Sequence, residues 1–226
     1  MSDVASNLAG VHERIHAACA RAGRDPRDVT LIAVTKNFGP DRVREVFDAG
    51  QLDVGENRLQ EAESKIPLLP SSMRWHYIGQ LQRNKVRKVL PLFSMIHSID
   101  SLRLAEYTNQ VAKELGMFPK VFLQINHAEE ESKAGFSLAE LHAGWDTLMA
   151  LDRLEIVGLM TVPPAVNDAE ESRPWFAALR DLRDDLSRSM PAPLPFLSMG
   201  MSGDYEVAIE EGATHVRVGS AIFGSR

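Results

Sequence analysis

The sequence predicts a (β/α)8 barrel, in which eight parallel strands close into a ring and a helix follows each strand. Three observations predict it. Short apolar runs rich in β-branched residues recur along the chain, helical segments lie between them, and the runs begin at residues 29, 52, 74, 94, 121, 154, 195 and 215. Parallel strands need long crossover connections, and the helices supply them. An open doubly wound sheet is the main alternative, but it normally has a glycine-rich first turn that is missing here.

The predicted helices follow in chain order. An extra amphipathic helix precedes the first strand, because Val4, Leu8, Val11 and Ile15 repeat at a spacing of three or four residues. Further helices are predicted at 41–50, 101–116, 137–150, 168–190 and 203–212. Ser101 is a good N-cap, and the pattern at 137–140 is a capping box. No linker or low-complexity tract divides the chain, so we expect residues 1–226 to form a single domain.

Composition excludes several classes of protein. The 226 residues are 44% hydrophobic and carry a formal net charge of −6, so general binding to nucleic acid is not expected, and the basic cluster at 83–88 is interpreted as a solvated helix face. A single cysteine, Cys19, cannot form an intrachain disulfide. The absence of a long apolar run argues against a membrane span, and the N-terminus lacks a signal-peptide pattern. We therefore expect a cytoplasmic protein with no membrane contact.

Polar residues at the carboxyl ends of the predicted strands are the candidate site, because this end of such a barrel carries the chemistry. They are Lys36, Glu56, Asn57, His76, Asp100, Asn126, Thr161, and the segments 199–202 and 217–220. Lys36 ends the first strand. At an apolar barrel mouth its amine would be partly desolvated, and such amines form Schiff bases with aldehydes. The alternative is a strand-end lysine that simply reaches water.

The last two strands predict an anion site. Ser202 and Gly203 follow strand seven, Gly219 and Ser220 follow strand eight, and the loops at these positions often bind phosphate in this fold. The alternative is that the glycines are ordinary turns. Arg217 is unusual within a barrel strand, where it either pairs with Glu56 or Asp100 or faces a ligand. An amine, a phosphate cradle and an inward arginine together suggest a phosphorylated aldehyde.

The sequence resembles the pyridoxal phosphate homeostasis proteins, a branch of the group that shares the alanine racemase N-terminal barrel. The segments that carry the resemblance are AVTKNF at 33–38, VGENRLQEAESK at 54–65, RWHYIGQLQRNK at 74–85, QINHAEEESKAG at 124–135, GLMTVPP at 158–164 and LSMGMSGDYEVAIEEGATHVRVGSAIFG at 197–224. The resemblance implies a fold-type III pyridoxal 5′-phosphate barrel without a second β-domain. Two small departures are Asn37 and the three acidic residues at 129–131, in a stretch where Glu130 and Lys133 match the family pattern.

The resemblance also implies roles for single residues. Lys36 would hold pyridoxal 5′-phosphate as an internal aldimine, that is, as a Schiff base. Ser202, Gly219 and Ser220 would hold its phosphate, Arg217 would face the pyridine nitrogen, Asn57 would line the pocket, and His76 would lie close by.

The function implied by the resemblance is cofactor binding that keeps the cellular supply of vitamin B6 in balance, without catalytic turnover. An arginine cannot accept a proton from the ring nitrogen, so the ring stays a weak electron sink. The expected partners are the small-molecule cofactor and, transiently, apo-enzymes that use it, and the expected state is a monomer. An amino-acid racemase is the alternative. It would need a second base and a closing domain, whereas the chain stops at residue 226 and has three tyrosines, Tyr77, Tyr107 and Tyr205. A Schiff-base aldolase that uses Lys36 without a cofactor ranks third.

One motif points to a different chemistry. The segment His12-Glu13-Arg14-Ile15-His16 matches the zinc-protease string, but it lies on the first helix and no third ligand follows at a protease spacing. We predict no metal site.

Overall fold

The chain forms a closed barrel of eight parallel strands in a computed structural model that describes residues 3–127, 134–188 and 194–224. Neighbours in sequence are neighbours in the sheet, and the last strand closes the ring by pairing with the first. The strands are β1 (Thr30–Val34), β2 (Asp53–Glu56), β3 (Arg74–Tyr77), β4 (Met95–Ile99), β5 (Lys120–Gln124), β6 (Glu155–Met160), β7 (Phe196–Met201) and β8 (His215–Val218). All eight predicted strands and the (β/α)8 class are confirmed.

Helices follow the strands on the outside of the ring. They are α1 (Val4–Arg21), α2 (Pro40–Asp48), α3 (Leu59–Lys65), α4 (Val86–Val89), α5 (Leu102–Leu115), α6 (Leu138–Met149), α7 (Arg173–Arg188), α8 (Tyr205–Glu210) and α9 (Ser220–Phe223). The extra helix α1 packs against α8 and α9. The N-cap of α5 and the capping box of α6 form as predicted. The segment predicted as one helix from 168 is a 3₁₀ turn at Ala169–Ser172 followed by α7, and the end predicted at 190 lies outside the described residues.

The core has two layers. The outer layer, between strands and helices, is apolar, and the outward-facing Val216 and Val218 of β8 belong to it. The barrel interior contains a small apolar cluster of Phe122, Val157 and Met160. Polar side chains also lie in the interior, and on β8 His215 and Arg217 alternate with the outward valines, since successive residues of a strand face opposite sides. The inward polar residues therefore lie directly beneath the carboxyl ends of the strands, where the candidate site is expected.

Two glycines set the path of the strands that carry the site. A Cβ on Gly158 would lie 1.9 Å from the carbonyl oxygen of Phe196, so β6 and β7 pair this closely only because residue 158 has no side chain. Gly200 has a φ of +92°, which favours glycine, and a Cβ there would lie 2.6 Å from the Cβ of Ala208. The chain can thus turn from β7 toward α8. Within the described ranges, no helix has the length and apolar character needed to cross a bilayer.

Candidate functional site

A cavity of about 420 Å³ opens at the carboxyl ends of the first three and last two strands. Its lining includes the six residues for which the sequence predicts cofactor contacts, namely Lys36, Asn57, Ser202, Arg217, Gly219 and Ser220. The remaining lining residues are Val34, Phe38, Ile78, Met201, Gly203 and Gly224. The structure therefore brings the six together, while their contact with a cofactor stays a prediction. His76, Asp100, Asn126 and Thr161 do not line this cavity.

Lys36 lies two residues after the end of β1 and is exposed. The expectation that an apolar mouth would partly desolvate it is wrong, because the barrel opens to solvent at this point. The next residue, Asn37, has a φ of +64°, a left-handed conformation that asparagine tolerates better than most residues. Its backbone N–H donates to the Oε2 atom of Glu61 at 2.7 Å. The turn that carries Lys36 is thus tied to α3.

A buried ion pair supports the other side of Lys36. The Nζ atom of Lys65 donates to Oε1 of Glu56 at 2.5 Å and to the backbone carbonyl of Thr35 at 2.9 Å. It also donates to Oε2 of Glu61 at 3.1 Å, and the hydroxyl of Thr35 donates to Oε1 of Glu56 at 2.7 Å. Burial raises the pKa of Glu56, and the hydrogen bonds from Lys65 and Thr35 oppose that shift. We call these residues, Thr35, Glu56, Glu61 and Lys65, the lysine anchor.

Sequence reasoning picked out Glu56 but missed Lys65, whose side chain is only 5% exposed. The apolar periodicity of a helix this short does not show whether its lysine is buried or exposed. The readable signal was the Glu61–Lys65 spacing of four residues, which places the two side chains on one helix face.

Arg217 projects into the barrel interior beneath the cavity. Its Nη1 donates to the hydroxyl oxygen of Ser198 at 2.6 Å, and its Nη2 donates to the carbonyl of Thr161 at 2.9 Å. Neither of the carboxylates considered from sequence, Glu56 and Asp100, is among these hydrogen-bond partners. Burial lowers the pKa of Arg217 to about 10, while the charge of Asp204 opposes that shift. The guanidinium is therefore still protonated at neutral pH.

Below Arg217, hydrogen bonds run through the barrel interior. Nδ1 of His97 lies 2.7 Å from the hydroxyl oxygen of Ser198, and Nε2 of His97 lies 3.0 Å from Nδ1 of His76. Nε2 of His76 then lies 3.1 Å from Oδ1 of Asp53. Arg74 donates to both oxygens of Asp53, at 2.7 and 2.5 Å.

These interior groups have shifted pKa values. Burial lowers the pKa of His97 well below its usual value, and burial lowers that of His215 to about 3. Burial alone would raise the pKa of Asp53, but the hydrogen bonds from Arg74 and His76 outweigh it and bring the value to about 2. The interior thus combines the ionised carboxylate of Asp53 with the neutral rings of His97 and His215. The sequence predicted His76 near the pocket but gave no sign that histidines from three strands would meet.

The two loops predicted to hold an anion are joined to each other. The backbone N–H of Gly219 donates to the hydroxyl oxygen of Ser202 at 3.1 Å, across the gap between β7 and β8. Asp204 fixes the first loop by accepting from the N–H of Met201 at 2.7 Å and from the hydroxyl of Ser172 at 3.2 Å. Ser220 begins α9, where first-turn N–H groups lack intrahelical acceptors.

Two further features decide what the cavity can do. Among the described residues, the Oδ1 atom of Asn57 is buried without a hydrogen-bond partner, so it can accept from a ligand. None of the three tyrosines lines the cavity. The hydroxyl of Tyr77 donates to the carbonyl of Gln80 at 3.2 Å, and the ring of Tyr205 lies under Arg14 at 5.5 Å.

Comparisons with known proteins place the chain in a family. The family described as "Alanine racemase, N-terminal domain" matches residues 7–226. A relative from Aquifex aeolicus named "Pyridoxal phosphate homeostasis protein" is 41% identical over 220 residues, which are 97% of this chain and 96% of the relative. A relative of the same name from Escherichia coli K12 is 41% identical over 235 residues, with 100% and 98% of the two chains covered.

Solved structures show the same fold. The protein PipY of Synechococcus elongatus, in a structure described as having PLP bound, is 40% identical, with a TM-score of 0.85 and coverage of 98% of this chain and 100% of that one. Alanine racemase from Bartonella henselae is only 13% identical over 99% of this chain and 60% of that one, with a TM-score of 0.75, and it supports the fold alone.

Proposed function

This chain belongs to the pyridoxal phosphate homeostasis proteins, within the alanine racemase N-terminal domain family, and from that premise we propose that it binds pyridoxal 5′-phosphate and takes part in the intracellular homeostasis of this cofactor. The observation that carries the proposal is the convergence of Lys36, Arg217 and the two joined loops on one cavity. A relative at 40% identity, PipY, has a structure with the cofactor bound.

The residues of the cavity fit this group. When bound, the cofactor supplies an aldehyde that condenses with amines. Lys36 would attach to the aldehyde carbon through Nζ, with the loss of one water molecule. Ser202, Gly219 and Ser220 would hold the phosphate, since hydroxyl and backbone N–H groups suit an anion. Asn57 has a buried oxygen that needs a donor, and a ring hydroxyl is one.

We propose that binding proceeds without catalytic turnover. Arg217 would donate to the ring nitrogen. Because a guanidinium only donates hydrogen bonds, it cannot stabilise a protonated ring nitrogen, and a ring with an unprotonated nitrogen is a weak electron sink. Racemisation also needs an acid and a base on opposite faces of the substrate, and the tyrosines lie outside the lining. The homeostasis role would then consist of holding the cofactor and passing it, as a monomer in the cytoplasm, to apo-enzymes through transient contacts.

The deciding experiment is an absorbance spectrum of the protein mixed with the cofactor, followed by borohydride reduction and peptide mapping. We expect a visible band and one reduced adduct, on the peptide that contains Lys36. Lys36→Ala should abolish the adduct, whereas Lys85→Ala, a lysine outside the cavity, should leave it unchanged. An adduct on other lysines only, or none at all, would contradict the proposal.

A second experiment separates binding from the racemase alternative. Exchange of the α-hydrogen for deuterium is followed by NMR across the twenty amino acids in the presence of the cofactor. We expect no exchange above the rate of the free cofactor. Turnover on the order of 1 s⁻¹ would make the chain an enzyme.

A further inference from the structure

The hydrogen bonds beneath Arg217 have a fixed direction at their two ends, because the chemistry of the end groups leaves no choice. A guanidinium only donates, so Ser198 Oγ must accept from Arg217. An ionised carboxylate only accepts, so the Nε2 atom of His76 must carry a proton and donate to Asp53.

The hydroxyl proton of Ser198 determines the protons between the ends, because the Nδ1 atom of His97 lies 2.7 Å away as its acceptor. His97 then donates from Nε2 to the Nδ1 atom of His76, which leaves His76 with a single proton, at Nε2. Each group thus receives one bond from the side of Arg217 and passes one on toward Asp53. Both rings are in the Nε2–H form.

We propose that Ser198, His97 and His76 are positioning residues that form a one-way hydrogen-bond chain and hold Arg217 as a donor toward the ring nitrogen of the bound cofactor. The identity of the ligand rests on the proposed function. The chain lets the buried cation interact with the Asp53 carboxylate on β2 while its own direct partners stay uncharged. A carboxylate touching Arg217 would instead compete with the ligand for its N–H groups.

The surroundings support this assignment. His97 is fully buried, and its ring is stacked on Phe122 with centroids 4.4 Å apart, so its orientation is held by packing. The other groups that face the two rings are His215 and Arg217 on β8, and Arg74 beyond Asp53. His215 is as buried as the members of the chain but bonds through Nδ1 to the hydroxyl of Thr214, at 2.9 Å. His215 is therefore a matched control, an interior histidine of the same cluster outside the chain.

The first test needs no cofactor. Long-range ¹H–¹⁵N NMR of histidine-labelled protein at neutral pH distinguishes the two tautomers, and His97→Gln and His76→Gln variants assign the signals. We expect neutral Nε2–H rings at both 76 and 97. An Nδ1–H ring or a protonated ring at either position would overturn the chain.

The second test asks whether the chain acts on the ring nitrogen. Dissociation constants are measured for pyridoxal 5′-phosphate and for its analogue with carbon in place of the ring nitrogen, with the wild type, Ser198→Ala and His215→Phe. We expect Ser198→Ala to raise the dissociation constant of the cofactor about tenfold and that of the analogue less than twofold. Only the cofactor has a ring nitrogen that accepts from the oriented Arg217. His215→Phe should change the two constants by the same factor.

Equal weakening of both ligands by Ser198→Ala would show a merely structural role and refute the positioning role. Failure of the wild type to bind either ligand would instead refute the proposed function. The NMR test of the tautomers uses no cofactor, so its result would still confirm or refute the hydrogen-bond chain.

Discussion

Two buried cations flank the cavity, and they are neutralised in different ways. Lys65, behind β1, touches the carboxylates of Glu56 and Glu61 directly, at 2.5 and 3.1 Å. Arg217, in the barrel interior, touches a hydroxyl and a backbone carbonyl and reaches the carboxylate of Asp53 only through Ser198, His97 and His76. One cation has its charge satisfied by its neighbours, whereas the other keeps hydrogen-bonding capacity for a ligand.

This difference in partners matches a difference in role, since Lys65 stabilises the structure around the cavity and Arg217 is proposed to face the ligand. Lys65 holds the carbonyl of Thr35, so its role is to fix the backbone from which Lys36 projects. A tight pair suits that role, because removing one member of a buried pair leaves the other charge uncompensated. Neutral partners suit Arg217, because a group that must bind a ligand should not already be saturated. The contrast can be tested by breaking each support in turn.

The largest effect is expected from Lys65→Met, which leaves the fully buried Glu56 without a cation. The free energy of unfolding should fall by about 3–5 kcal/mol. Urea denaturation followed by circular dichroism measures it. Lys88→Met is the control, because Lys88 lies 3.8 Å from Glu63 with its side chain 69% exposed, and we expect a change below about 0.5 kcal/mol. Equal effects of the two variants would show that the lysine anchor is not a scaffold.

The second-largest effect is expected from acid, which should lower the free energy of unfolding through the buried histidines of the barrel interior. The folded-state pKa values of His97 and His215 lie below the ordinary value of about 6.5, so below that pH the unfolded chain binds more protons than the folded one. Their contribution is complete above that pH and is lost as the pH falls toward the folded-state values. When the pH is lowered from about 7.5 to 5.5, the free energy of unfolding should fall by about 1.4 kcal/mol for each of these two histidines.

Urea denaturation at the two pH values checks this loss. His215→Phe should remove about half of it, because one of the two proton-binding groups is gone. A loss that is the same in the variant and the wild type would contradict neutral burial of His215.

A smaller effect is expected from Arg74→Met, at the far end of the interior chain. Arg74 is 55% exposed, so its bidentate bond to Asp53 should contribute only about 1 kcal/mol to stability. The variant should also raise the pKa of Asp53, which acid denaturation below pH 4 would detect as an earlier onset of unfolding. Arg27→Met, which breaks an exposed pair with Asp25, should leave the onset where it was.

The smallest effect is expected from Asn37→Gly, at the turn after Lys36. Glycine adopts the φ of +64° without strain, so stability should change by about 0.5 kcal/mol or less. Asn37→Ala should cost about 1 kcal/mol, because a left-handed conformation crowds the alanine Cβ. Thermal melts of the two variants compare these costs, and a glycine variant less stable than the alanine variant would contradict the assignment of the turn.

The fold was largely readable from the sequence because each strand is a short, dense apolar run, and all eight runs became strands. Periodicity fails for short elements, which is why α3 and α9, with seven and four residues, were not predicted, and α4, with four residues, was indicated only by the basic cluster at 83–88. The six cavity residues were found because they follow strands or belong to matched segments. Glu130 and Lys133, also part of the matched pattern, lie outside the described residues.

The supports of the site were not readable in the same way. The Lys65–Glu56 pair and the contacts among His76, His97 and Ser198 join residues from different strands and helices, and their geometry depends on the register of the closed ring. A single sequence shows which side chains alternate inward but not which of them meet across a barrel. Partial burial of Lys36 was wrongly expected for the same reason, since position on a strand does not show how far the mouth opens.

The pairing of β1 with β8 has a consequence for the order of events during synthesis. One half of the cavity comes from residues 34–78 and the other from residues 201–224, so it cannot exist until β8 has been synthesised and has closed the ring by pairing with β1. Contacts so distant in sequence also form late in folding. A growing chain that has not yet added β7 and β8 therefore lacks half of the cofactor cavity and cannot hold the ligand prematurely.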